Sequence, residues 1–240
     1  MPMVRAHQGL GQMVRDEKAG LAWRDGVVPV SMRFDDPYFS LNDGLAETRH
    51  VFLAGNDLPG RFCDGFQVAE LGFGTGLNLL ATVLAAERVA GVAAFRYCAF
   101  EAYPMAVEDM ERALAAFPDI RAAADGLLQA WRQVWACGAL RFDLGRVEVE
   151  VILGDARQTL PQWAGAADAW FLDGFSPAKN PELWSEAILT EVGRHTVAGG
   201  TFATYTAAGH VRRALAAAGF AVERVAGHGT KRHMTRGRKV

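Results

Sequence analysis

The chain has 240 residues, half of them hydrophobic, and a formal net charge of -2. That is enough to bury a sizeable core, and it reads as one domain with room for an appendage. Its three cysteines, Cys63, Cys98 and Cys137, are too scattered for a disulfide framework or a zinc site.

No apolar stretch approaches the roughly 18 residues of a membrane span. The N-terminus lacks a signal peptide's charged and apolar regions, so no membrane association and a cytoplasmic location are expected.

In chain order, residues 1–62 form a preface without strong periodicity. It holds Val27-Val28-Pro29-Val30-Ser31 and Phe34-Asp35-Asp36-Pro37-Tyr38-Phe39-Ser40, and short strands and turns are expected there. From 63 to 240 strands and helices alternate. A strand over 66–69 leads through a glycine turn into a helix over 77–84. A strand over 95–100 ends at Glu101. A helix is predicted over 104–117, with proline at its start, and another over 120–136. Strands over 147–153 and 168–172 end at Gly154-Asp155 and Asp173. A helix over 181–196 and a strand over 201–205, after a Gly-Gly turn, come next. A helix over 207–218 stops at Gly219. Segments 220–225 and 233–238 are expected to close the fold as an antiparallel pair. The alternation predicts an α/β, Rossmann-like architecture: a mainly parallel, doubly wound sheet with helices on both faces.

The richest motif is Glu70-Leu71-Gly72-Phe73-Gly74-Thr75-Gly76. Glycines between a strand and a helix let the backbone turn tightly and approach a ligand. A dinucleotide fingerprint needs G-x-G-x-x-G with pyrophosphate at the helix N-terminus. Here an acid precedes the turn and the third glycine comes one position early. Carboxylates would repel a pyrophosphate but suit a cation such as the sulfonium and ammonium of S-adenosylmethionine. The motif resembles the first motif of class I methyltransferases; a glycine turn with no ligand is the plainer alternative. Ligands of such sheets sit outside the C-terminal strand ends. Glu101, 25 residues beyond Gly76, is placed to accept from ribose hydroxyls, and Asp155 from an adenine amino group.

Asp173 opens a denser motif, Asp173-Gly174-Phe175-Ser176-Pro177-Ala178-Lys179-Asn180-Pro181. Such a loop cannot continue the sheet or start a helix before Pro181, so it would hang over the methyl group of the cofactor. An alkylammonium has no lone pair, so attack on a sulfonium methyl requires the neutral amine. A carboxylate can orient that amine and stabilise the charge that develops on it. Asp173 is the candidate catalytic residue; an acid that merely caps the loop is the alternative.

Together with Gly44-Leu45-Ala46-Glu47-Thr48-Arg49-His50-Val51-Phe52-Leu53, the 34–40 stretch, Gly72–Asn78 and Lys231-Arg232-His233-Met234, these residues resemble the MnmC family. The similarity is to the methyltransferase part of bifunctional tRNA 5-methylaminomethyl-2-thiouridine biosynthesis proteins and their stand-alone, MnmD-like relatives. It runs from about Arg33 onward. It implies methyl transfer from S-adenosylmethionine to 5-aminomethyl-(2-thio)uridine at the tRNA wobble position. It also implies that Glu70, Gly72, Gly74, Gly76, Glu101 and Asp155 surround the cofactor and that Asp173 faces the substrate. Phe175 and Pro177 would wall the uridine, and Tyr38 and Ser40 would close the pocket from the preface.

Two departures matter. The bifunctional members carry a flavin-dependent oxidase domain, and this chain has no second glycine-rich unit. It is therefore expected to use no flavin and no metal, with a separate enzyme supplying the aminomethyl precursor. His233 stands where relatives commonly carry an acid. The resemblance favours a monomer.

A tRNA partner needs cations for the anticodon arm, and Lys179, Lys231, Arg232, Arg236, Arg238 and Lys239 are the candidates. A frayed, solvated end is the plainer reading of the tail. Trp131 and Trp135, four apart on one predicted helix, are expected to pack rather than stack on RNA. Two other functions fit the same cofactor motif: methyl or aminopropyl transfer to a small amine, and non-catalytic nucleotide or RNA binding.

Overall fold

The computed structural model describes residues 18–40, 43–132 and 139–240. Among the described residues the preface begins with three short antiparallel strands, β1 (Leu21–Arg24), β2 (Val28–Ser31) and β3 (Asp36–Pro37). Helix α1 (Gly44–Thr48) follows, its first turn capped by the Asp43 carboxylate, which accepts from the Ala46 N–H. A wide π turn, Arg49–Leu53, extends it. The π turn buries Val51, Phe52 and Leu53 in the main core, where Phe52 packs on Phe171 with ring centres 5.4 Å apart.

The body alternates strand and helix. Its first half contains β4 (Gln67–Leu71), α2 (Leu77–Glu87), β5 (Phe95–Glu101), α3 (Val107–Leu114), α4 (Arg121–Trp131), β6 (Ala139–Leu144) and β7 (Val147–Leu153). The second half contains α5 (Ala156–Thr159), β8 (Ala167–Leu172), α6 (Glu186–Arg194), β9 (Thr196–Thr204), α7 (Gly209–Ala217), β10 (Phe220–Ala226) and β11 (His233–Lys239). The eight body strands form one sheet in the order β10-β11-β9-β8-β4-β5-β7-β6. β4, β5, β7, β8 and β9 run parallel, while β6 and the β10–β11 pair add antiparallel edges. The parallel, doubly wound sheet with a closing antiparallel pair is the architecture the alternation predicts.

Side chains on successive strand residues point to opposite faces, and both faces are buried. Val68, Tyr97, Ala99 and Phe171 join the layer under α2, α3 and α4. Ala69, Leu71, Cys98, Phe100 and Trp170 join the layer under α6 and α7. β4 is central: the chain winds one way through β5 and β7 and the other way through β8 and β9. The crevice between β4 and β8 is therefore the switch point, where ligands of such sheets bind.

Several expected boundaries move. The helix predicted from Pro104 starts at Val107, because Ala106 is extended and the Met105 carbonyl is held by the Trp131 indole N–H at 2.8 Å. The helix predicted from Pro181 starts at Glu186, because the Trp184 indole N–H is bound to the Phe175 carbonyl at 2.8 Å. That bond keeps 181–184 in a turn. The Gly199-Gly200 pair does not precede a strand but lies inside β9, with an irregularity in its pairing to β8. β6 is an unpredicted strand, although Leu140, Phe142 and Leu144 alternate with polar residues and are buried. Trp131 is fully buried and stacks on Phe73, so it packs as expected. Trp135 and Cys137 lie outside the described residues. The tail is not frayed: β11 is paired on both sides, to β10 and to β9.

Candidate active site

A cavity of about 1140 Å³ opens over the switch point, floored by the C-terminal ends of β4, β5, β7 and β8 and roofed by the preface. Single-ligand pockets run about 300–1,000 Å³, so this one has room for a cofactor and part of an acceptor together.

The glycine turn follows β4. Gly72, Gly74 and Gly76 have φ of +84°, +55° and +76°, where a side chain is strained. All three also lack room for one, Gly76 most of all, where a Cβ would lie 2.6 Å from the Leu127 side chain. A Cβ on Gly72 would lie 3.0 Å from Gly174 Cα, and one on Gly74 would lie 3.1 Å from the Tyr38 ring. The turn is thus clasped between the Asp173 loop and the preface. Gly76 takes the position before α2 and stands behind the cavity wall, whereas Gly72 and Gly74 line it.

Glu101 ends β5 and is 9% exposed. Its Oε2 accepts the Gly74 N–H at 2.9 Å and its Oε1 the Tyr103 N–H at 2.7 Å. Burial raises its pKa, and the surrounding backbone N–H groups oppose that rise. Each oxygen keeps a lone pair, so this fixed carboxylate can still accept from a diol in the cavity.

Asp155 also lines the cavity, but as the N-cap of α5. It accepts the Arg157 backbone N–H at 2.9 Å and forms a two-pronged pair with the Arg157 guanidinium, Nε to Oδ2 at 2.8 Å. Those hydrogen bonds hold its pKa below the usual value. A ligand amino group would share Asp155 with Arg157.

Glu70 departs most from expectation. β4 runs one turn of its pleat further than predicted, to Leu71. Glu70 therefore lies inside the strand on the face of Val68 and is fully buried. It does not line the cavity. It accepts from the Asn78 amide at 2.6 Å and from the Tyr97 hydroxyl at 2.8 Å.

Asp173 follows β8 at the centre of the cavity floor. Its Oδ1 accepts the Gly174 N–H at 2.8 Å, and its Oδ2 accepts the Asn78 amide at 2.7 Å. Burial pushes its pKa up to about 6, against the pull of these donors and of Lys231. A carboxylate poised there is ionised at neutral pH yet close to the proton affinity useful in transfer.

The Asp173 loop is bound to the preface. Ser176 N–H donates to Asp36 Oδ2 at 2.8 Å, and Lys179 reaches the Asp35 carbonyl and lies 3.6 Å from the Asp36 carboxylate. Phe175 stacks on Phe34 with centres 4.8 Å apart and meets Tyr38 edge-on at 5.0 Å. Tyr38 and Ser40 both line the cavity from the preface. Pro177 does not; it sits on the outer side of the loop, half-buried.

At the opposite rim Lys231 pairs with Glu47 at 2.6 Å and sits 4.3 Å over the Tyr205 ring, whose hydroxyl donates to the Gly174 carbonyl at 2.8 Å. Arg232 does not line the cavity and is exposed. Arg236 and Arg238 lie on β11, paired with Glu223 at 3.1 Å and with Asp57 at 3.3 Å. Among the described residues no group of acids, cysteines and histidines could hold a metal ion, and no helix is long and apolar enough to cross a membrane.

A family described as S-adenosyl-L-methionine-dependent methyltransferase matches residues 118–240, the half that carries Asp155, the Asp173 loop and Lys231. The chain belongs to this family. Over 92% of its length the methyltransferase is 45% identical to the tRNA 5-methylaminomethyl-2-thiouridine biosynthesis bifunctional protein MnmC of Aeromonas hydrophila, across 35% of that protein. The protein of the same name from Pseudomonas aeruginosa is also 45% identical, with the same coverage of each chain. The methyltransferase thus spans about a third of the length of these relatives. The crystal structure of MNMC2 from Aquifex aeolicus shares its fold, with a TM-score of 0.74 at 24% identity, over 93% of this chain and 72% of that one. S-adenosylmethionine is the methyl donor of the family. The glycine crevice fits such a group, because Gly72 and Gly74 line the cavity without side chains, beside the fixed Glu101 carboxylate.

Sequence reasoning passed over the partners of Asp173. Asn78 stands in the quoted glycine stretch and Glu47 in the quoted preface stretch, yet neither is at a strand end. Tyr205 directly follows β9, where the strand-end rule could have found it.

Proposed function

We propose that the methyltransferase transfers a methyl group from S-adenosylmethionine to the primary amine of 5-aminomethyl-(2-thio)uridine at the tRNA wobble position. The product is 5-methylaminomethyl-(2-thio)uridine. The observation that carries this reading is the half-buried Asp173 carboxylate, held by Gly174 and Asn78 in the same cavity as the glycine crevice. The names of the relatives from Aeromonas hydrophila and Pseudomonas aeruginosa support the choice of acceptor.

In this reading Gly72 and Gly74 let the backbone meet the methionine portion of the cofactor. Glu101 accepts from the ribose, Asp155 from the adenine, and Gly76 only shapes the turn. The neutral amine donates a hydrogen bond to Asp173. Its lone pair attacks the methyl carbon as the bond from carbon to sulfur breaks, leaving S-adenosylhomocysteine and a secondary ammonium, which loses a proton to water. Asp173 stabilises the developing ammonium. Most of the acceleration comes from holding nitrogen, carbon and sulfur in line. Phe175 and Tyr38 flank the base, and the preface, residues 1–62, closes the pocket on the body, residues 63–240. Anticodon phosphates meet rim cations, Arg24, Arg33 and Lys231 among them, and the enzyme acts as a cytoplasmic monomer. Another enzyme supplies the aminomethyl form.

The test is transfer of radiolabelled methyl to tRNA bearing aminomethyluridine at the wobble position, with unmodified tRNA as control and nucleoside analysis of the product. Label in 5-methylaminomethyl-(2-thio)uridine is expected. Cofactor binding without label would move the acceptor to a small amine.

A further inference from the structure

The Asn78 amide is fully committed. One N–H goes to Glu70 Oε1 at 2.6 Å and the other to Asp173 Oδ2 at 2.7 Å, while its Oδ1 accepts the Thr48 hydroxyl at 2.9 Å. Turning the amide over would set its oxygen against two carboxyl oxygens, so the orientation is determined. Asn78 is 5% exposed, and Glu70 and Tyr97 behind it are fully buried. Glu70 is itself fixed, since its second oxygen takes the Tyr97 hydroxyl at 2.8 Å.

We infer that Asn78, held by Glu70 and Thr48, is a positioning residue that orients the Asp173 carboxylate toward the acceptor amine. Glu70 thus acts on the acceptor side, through Asn78, and not as a ligand of the cofactor. This inference rests on the reading of Asp173 given above.

Asp173 has one oxygen held by the Gly174 N–H and the other by Asn78. With both clamped, the carboxylate plane cannot rotate, and the remaining lone pairs face the cavity in a fixed direction. Without Asn78 one oxygen would lose its partner and the group would turn about its Cβ–Cγ bond. A buried acceptor that loses a donor also holds its proton more tightly. The other groups facing Asp173 are Glu70 from β4, Tyr97 from β5, Glu47 from α1, and Lys231 and Tyr205 at the rim. Only Lys231 carries positive charge. The groups behind the amide, Glu70 and Tyr97, carry no positive charge that could replace what it donates.

The test compares Asn78→Asp, Asn78→Leu, Glu70→Leu and Glu70→Gln, with kcat measured against pH and cofactor affinity measured by calorimetry. Asn78→Asp is expected to lower kcat at pH 7 by ~10–100-fold and to raise the acid-limb midpoint by ~1 pH unit. Asn78→Leu should move the midpoint the same way. Glu70→Leu should lower kcat, and Glu70→Gln should restore most of that loss, because its amide oxygen can still accept from Asn78. Cofactor affinity should stay within ~3-fold throughout. An unmoved midpoint in both Asn78 variants would overturn the inference and leave the residue structural. So would a Glu70→Gln enzyme that fails through weak cofactor binding. Asp173→Asn, run alongside, keeps the two readings separate. If it retains normal turnover, the role of Asp173 fails first; if it is inactive while the Asn78 midpoints stay put, only the present inference fails.

Discussion

Asp173 and Glu101 are both acids at strand ends, Asp173 half-buried and Glu101 buried, and their surroundings divide the labour between them. Glu101 is ringed by backbone N–H groups, which favour its charged form and fix its position. Removing it by Glu101→Ala should therefore strike cofactor binding first. Charged hydrogen bonds contribute about 1.5–3 kcal/mol, so calorimetry should show a loss of ~10–100-fold in affinity. Asp173 faces a mixed set of charges and has its pKa raised to about 6. Asp173→Asn should bind cofactor normally and lose ~100-fold or more in kcat. The wild-type kcat should rise with pH through about 6 as the carboxylate forms. Stability follows the opposite direction. A carboxyl whose folded pKa is raised contributes stability that is present below its unfolded pKa, near 4, and lost as pH rises through about 6. Measured by thermal melts, wild-type Tm relative to Asp173→Asn should therefore fall by ~5–10 °C between pH 4 and pH 7.

At the scale of elements, the glycine turn and the Asp173 loop are one device, because their backbones touch at Gly72 and Gly174. Gly72→Ala should cost cofactor binding even though the change is a single methyl. The loop is in turn tied to β3 by Asp36 and Lys179. Asp36→Ala frees the Ser176 N–H and one ion-pair partner of Lys179. It should raise KM for the RNA several-fold and leave cofactor affinity nearly unchanged; equal loss of both would show that the tie serves the fold instead. This level also explains what could be read from the sequence. The parallel strands and the glycine turn were legible because burial on both sheet faces makes continuous apolar runs. The cofactor motif was legible because positive φ selects glycine. Helix starts after Pro104 and Pro181 were misplaced because bonds from Trp131 and Trp184, distant or on the far side of a turn, decide them. Glu70 is placed differently because a strand that ends two residues later turns an end position into a core position. No local signal in the sequence carries the Asn78 bridge, since it joins residues 95 positions apart.

For the whole molecule, the net charge of -2 hides an uneven surface. Most tail cations are spent on acids within the fold, Arg236 on Glu223 and Arg238 on Asp57. Neutralising them by Arg236→Gln with Arg238→Gln should leave the salt dependence of RNA binding unchanged. Arg24→Gln, at the cavity rim, should flatten it, by about one unit of slope in log affinity against log salt.

The direction of the last strand has a practical outcome for how the enzyme can be handled. β11 leaves the cavity rim near Lys231 and runs antiparallel to β9, with Thr235 beside Thr204 and Arg238 beside Thr201. Seven strand residues cover ~20 Å, so Val240, tied to Gly219 by its N–H at 3.1 Å, emerges at the pole of the sheet remote from the reaction. A dye, bead or tether joined through Val240 would hang away from the cavity mouth. Single-molecule recording through that attachment should preserve the free enzyme's turnover.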